Sequence, residues 1–182
     1  MDSTSNVLLR MFSGNRGTLF LIVFTILVAS TLVGTFYPPD KSIADELLKM
    51  AEEIKGNDFY SITLKIFSNN ALIASGMIIP LFGIGLSLYS TFSTGVAISS
   101  ISYKVINPQV AFFGVLIMPH GLLEYITYSL VVTENVIFTY KIIGKWKDLK
   151  NEIQAVLATM VLSYLLLLLA GFIEAFFIGQ GF

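Results

Sequence analysis

The chain has 182 residues, 55% of them hydrophobic and 13% charged, with a mean hydropathy of +0.79. Soluble domains carry about 25% charged residues, and no single soluble core hides this much apolar surface, whereas about 20 apolar residues in helical form cross a bilayer. The composition predicts an all-α polytopic transmembrane bundle forming one membrane domain over 1–182, and a net charge of −1 offers no basic surface to a nucleic acid.

Cysteine is absent, which removes disulfides, thiolate zinc sites, thiol nucleophiles and cysteine-ligated iron–sulfur clusters together. The first apolar run, 17–36, is long enough to span and reads as a retained anchor rather than a cleaved leader. Gly34-Thr35-Phe36-Tyr37-Pro38-Pro39 then places aromatics at an interface and two prolines that stop the helix.

Residues 40–70 are the long polar stretch, with Asp40, Asp45, Glu46, Glu52, Glu53 and Asp58 against Lys41, Lys49, Lys55 and Lys65. Ile43, Leu47, Met50 and Ile54 recur at helical spacing, Ser42 with Asp45 resembles a capping box, and Gly56-Asn57 ends the helix. This predicts an amphipathic surface helix, followed by a second short helix from Asp58 to Ser68.

The apolar stretch 71–103 reads as one span, rich in helix weakeners (Gly76, Pro80, Gly83, Gly85, Gly95). Small residues allow close helix contact, and Pro80 frees a carbonyl that needs another partner. Asn107-Pro108-Gln109 signals a turn. Segment 109–119 then covers half a bilayer, Pro119-His120-Gly121 breaks it, and 120–140 is long enough to cross. The link Lys141–Glu152, with Lys145, Lys147 and Lys150, leads to a last span over 153–178.

Lys and Arg near span ends favour the cytoplasmic side. Arg10 and Arg16 put the N-terminus inside, the acidic 40–70 stretch lies outside, and Lys104 and the lysine-rich link return inside. Four plain spans would put that link outside. The expectation is therefore about five helical passes, with a broken or re-entrant segment at 105–140 and the C-terminus outside.

Projected at about 100° per residue, His120, Glu124, Thr127 and Glu134 fall within roughly 80° of one another, giving the 120–140 helix a polar face. Ionisable groups at membrane depth pair with each other or line a pathway. Two readings follow: a His120–Glu124 hydrogen bond that knits helices, or a proton, ion or substrate role. Zinc wants about three protein ligands, which this pattern does not supply. Glu174 is a second buried-acid candidate, or snorkels to the interface. Asn69-Asn70 either caps the helix it opens, the favoured reading, or hydrogen-bonds between helices. There is no phosphate-binding glycine loop and no nucleophile elbow, so neither a cofactor nor an enzyme activity is expected.

Asn69-Asn70 before a glycine-rich span, Pro119-His120-Gly121-x-x-Glu124, and Ile173-Glu174-Ala175-Phe176, in this order, resemble the stage II sporulation protein M family over roughly 15–180. Small size, short tails and lack of cysteine are similar to archaeal members. The resemblance implies a helical, multi-pass protein of the cell membrane. In spore formers the family member belongs to an engulfment machine with peptidoglycan-degrading partners, but members also occur in organisms that neither sporulate nor build peptidoglycan. One departure is Thr94-Gly95, where members commonly have Asn-Gly. The expected function is a non-enzymatic scaffold or assembly component. The alternatives are a permease-like subunit served by a separate ATPase and an accessory subunit of a larger membrane complex. Expected partners are the lipid bilayer, other membrane or envelope proteins and further copies of the chain.

Overall fold

A computed structural model describes residues 14–144 and 149–180; the expectations placed on Arg10, Lys145 and Lys147 fall outside them. The described residues form α1 (Gly14–Gly34), α2 (Lys41–Lys55), α3 (Phe59–Met77), α4 (Phe82–Ser102), α5 (Pro108–Ile117), α6 (Pro119–Gly144) and α7 (Leu149–Gly179). Three helical stretches, Asn15–Gly34, Phe82–Ser102 and Glu152–Gly179, are long and apolar enough to cross a membrane, and α5 with α6 passes the same test as a pair bent by 82°. The expected all-α polytopic bundle and the break before Pro119 are both present.

Each short helix starts on a side chain that satisfies its free N–H groups. Asp58 accepts from the amides of Tyr60 and Ser61, and Asn107 does so from Gln109 and Val110, with Pro108 in the first turn. For α2 the cap is Asp40, which accepts from the Ser42 amide at 2.7 Å. Ser42 is therefore not the cap its spacing suggests. The Asp58 carboxylate also accepts from the Ser61 hydroxyl, and that bond, before the two amides, holds its pKa below the ordinary value.

Two boundaries differ from the sequence expectation. The helix opening after Asp58 does not end at Ser68 but runs on to Met77, and the stretch 71–103 is not one span. The chain turns at 78–81, where Pro80 has no N–H to give and Leu81 takes φ 64°, with the Phe82 amide donating back to the Pro80 carbonyl at 2.7 Å. This is a γ-turn, a reversal too tight for a helix to pass through.

The contacts fix the direction of each helix. Beside α1, Ser30 reaches the Leu88 carbonyl, Ser99 donates to that of Tyr37, and the Asp40 amide donates to Ser100, so α4 runs parallel to α1. Beside α7, Phe59 meets Phe172 edge to face and Phe67 meets Tyr164 in the same way, so α3 runs antiparallel to it. α6 opposes α1, with Phe24 against Tyr125 and Arg16 against Glu134. Calling the Arg16 end of the bundle A and the other end B, α1, α4 and α7 run from A to B, while α3 and α6 run from B to A. Lys104, just beyond α4, consequently lies at end B with the acidic 40–58 segment, not at the Arg16 end. Within the bundle α1 begins at end A and α7 finishes at end B, and a reversal at Pro80 divides the 71–103 stretch.

Lipid is as apolar as leucine, so helices in a membrane associate through close packing and hydrogen bonds rather than hydrophobic burial. α1 and α4 touch backbone to backbone: a Cβ at Gly34 would lie 2.2 Å from the Phe92 carbonyl oxygen, and one at Gly95 would lie 2.0 Å from that of Thr31. At the α5–α6 break, a Cβ on Gly121 would lie 2.2 Å from the Val115 carbonyl oxygen, so only glycine permits so close a bend. Leu27, Met77, Phe112, Val131 and Leu167 fill the centre, fully buried.

Candidate functional site

Two polar clusters lie inside the bundle, one at each end, and a support for the helix break stands beside the first. At end A, Arg16 on α1 donates through Nη1 to Glu134 Oε1 on α6 and through Nη2 to Glu152 Oε2 on α7, the second at 2.6 Å. Lys141, two turns beyond Glu134 on α6, donates to the other oxygen of Glu152. The side chains of Glu134 and Glu152 are 5% and 6% exposed, so two carboxylates sit out of water against two cations. Such a quartet holds only while all partners are present.

Also at end A, Asn135 on α6, next to Glu134, supports the α3–α4 reversal. Its Nδ2 donates to the carbonyls of Met77 at 2.6 Å and Ile79 at 2.8 Å, and Thr139 donates to its Oδ1 at 2.9 Å. Thr139 in turn accepts from the Leu81 amide at 3.3 Å. Backbone groups freed by the turn, which lipid could not satisfy, are thereby met from a neighbouring helix.

Toward end B, Asn70 on α3 donates through Nδ2 to Glu124 Oε1 on α6. Asn70 lies in the middle of α3, so the capping reading fails and the interhelical one holds. Asn69 is exposed, its amide 3.4 Å from Asn70 Oδ1. Glu174 on α7 lies close enough to Glu124 and Tyr128 to act on them electrostatically, which sets it against the bundle. His120 does not bond to Glu124: its Nδ1 is buried without a hydrogen-bond partner, and its ring faces Phe177 at 6.3 Å between centroids. Pro119 starts α6, where it needs no N–H partner, and Gly121 makes the close α5 contact described above.

The polar stripe of α6 is therefore divided. Glu124 belongs to the end B cluster and Glu134 to the end A quartet, while Thr127 is buried and donates to the Leu123 carbonyl. The sequence reading missed Arg16, Lys141 and Glu152 as interior groups, because each sits at a span end where it reads as an interfacial charge. It also missed Asn135, although an Asn beside Glu134 in the middle of an apolar run was a signal. Among the described residues, no group of three His, Cys, Asp or Glu side chains is arranged to hold a metal ion.

Residues 18–177 match the family model for stage II sporulation protein M. No curated protein and no solved structure matches the chain.

Proposed function

The chain belongs to the stage II sporulation protein M family, and on that premise we propose that it is a non-enzymatic scaffold or assembly component of a cell-membrane complex. The observation that carries this reading is the mutual pairing of the interior polar groups across helices, Arg16 with Glu134 and Glu152, and Asn70 with Glu124. Groups spent on one another fix the arrangement of α1, α3, α6 and α7 and so favour a rigid platform over an open path. The N-terminus is cytoplasmic in this reading and the C-terminus outside, because Arg16, Lys141 and Lys150 lie at end A, and Arg10, Lys145 and Lys147 are near them in sequence. End B, with its six acids between Asp40 and Asp58 and the amphipathic α2, is then the face offered to envelope proteins or to further copies of the chain.

The test is purification in gentle detergent with identification of what accompanies the protein. Envelope proteins in fixed ratio support the scaffold. A stoichiometric ATPase supports the second reading, a permease-like subunit, which rests on Glu174 near Glu124 and on the buried, unpartnered Nδ1 of His120. An accessory role in a larger complex predicts fixed-ratio recovery with other multi-pass proteins. Glu124→Gln separates the first two: a scaffold loses folded yield or partner recovery, whereas a permease keeps its fold and loses flux.

A further inference from the structure

A cavity of about 220 Å³ lies between α1, α6 and α7 on the end A side. Phe20, Ile126, Leu130, Leu162 and Leu166 form its walls, and Arg16, Thr133 and Glu134 its polar end. From Ile126 to Glu134 the cavity follows α6 for about 12 Å at 1.5 Å per residue. A slot of that length, walled by aliphatic and phenyl side chains, suits an extended hydrocarbon chain.

The polar end carries the second observation. Thr133 and Glu134 are 3% and 4% exposed, yet Thr133 Oγ1 and Glu134 Oε2 have no hydrogen-bond partner. Elsewhere on α6, Thr127 and Ser129 satisfy their hydroxyls on the carbonyls one turn back, so the unmet Thr133 is a local exception. Buried polar groups are almost always paired, and an acceptor beside an unmet hydroxyl calls for a donor. Arg16 does not call for an anion, because both its terminal nitrogens already hold carboxylates.

We propose that this cavity binds one chain of an amphiphile whose head is a hydrogen-bond donor, a hydroxyl or an ammonium, seated on Thr133 and Glu134 Oε2. The chain points from end A toward the bundle centre, the direction a lipid tail takes from that leaflet. This site is separate from the proposed docking face at end B and does not depend on it.

The test uses the full-length protein in nanodiscs with a photoreactive alkylamine bearing a diazirine near the end of an eight-carbon chain, and mass spectrometry to locate the label. The expected label falls on Ile126, Leu162 or Leu166, and octylamine or octanol suppresses it at least tenfold more effectively than octanoate. Leu130→Trp, which fills the cavity without touching the ion pairs, should abolish it, with Leu166→Trp as the second variant should the first not fold. Thr133→Val should weaken the octanol competition severalfold. Labelling confined to the lipid-facing Leu157, Val161 and Leu165, or unchanged in a folded cavity-filling variant, overturns the site. Equal competition by octanoate overturns the donor head.

Discussion

Arg16 and Glu152, 136 residues apart in the chain, meet at 2.6 Å inside the bundle and tie α1 to α7. The same guanidinium holds Glu134, so one side chain neutralises carboxylates from two helices. Arg16→Ala should destabilise the protein by about 3–5 kcal/mol, the cost of leaving a buried ion without its partner. Thermal unfolding in detergent measures this. Glu134→Gln in the Arg16→Ala background should recover part of the loss, because it removes one of the stranded charges. A loss below about 1 kcal/mol, the worth of an exposed pair, would mean that the quartet is solvated.

The contact between α1 and α4 predicts a contrast among glycines. Gly34→Leu and Gly95→Leu should abolish folded yield, since a Cβ at either position lies within 2.2 Å of a carbonyl oxygen on the other helix. Gly85 stands on the same helix as Gly95, with nothing within 4 Å of its missing Cβ. Gly85→Ala should therefore be neutral or stabilise by up to about 1 kcal/mol through helix propensity. Monodisperse recovery from size-exclusion chromatography reports both. Equal tolerance at Gly34 and Gly85 would refute the close helix contact.

At the reversal, Asn135→Leu should cost about 1–3 kcal/mol for each carbonyl left unpaired, since Met77 and Ile79 both depend on its amide. Leu81→Gly should act in the opposite direction. Leu81 is 67% exposed and holds φ 64° and ψ −53°, a strained γ-turn conformation costing an L-residue about 1–3 kcal/mol, most of which glycine escapes. Chemical denaturation of the two variants, alone and combined, tests whether the turn is supported as described; an Asn135→Leu protein as stable as the parent would show that it is not.

These residues also mark what the sequence disclosed. Composition and the Pro119-His120-Gly121 signal were enough for the membrane class and the broken 105–140 segment, because hydropathy and proline act locally. The split at Pro80 was hidden, since proline is tolerated within membrane helices and the deciding group, Asn135, lies 55 residues further along the chain. Partner choice was hidden for the same reason. Glu124 has His120 one turn away on its own helix, yet it pairs with Asn70 across the interface. Helical spacing reports which residues share a face, not which neighbour that face will meet.

Lys104 offers the sharpest test of the helix order. Charge alone assigns it to the same side as Arg16, whereas the parallel course of α1 and α4 puts it beside the acidic 40–58 segment at end B. The chain has no cysteine, so single cysteines report cleanly on sidedness. Lys49→Cys, Lys104→Cys and Lys150→Cys each replace an exposed side chain, and Lys104 gives up only a cation–π contact with its neighbour Tyr103. A membrane-impermeant maleimide added to intact cells should label positions 49 and 104 and reach position 150 only after permeabilisation. Labelling of 49 and 104 inside with 150 outside would invert the proposed orientation and leave the helix order standing. Labelling of 104 together with 150 would overturn the order itself: α3 and α4 would then have to form one continuous crossing, and the hydrogen bonds from Asn135 to the turn could not exist.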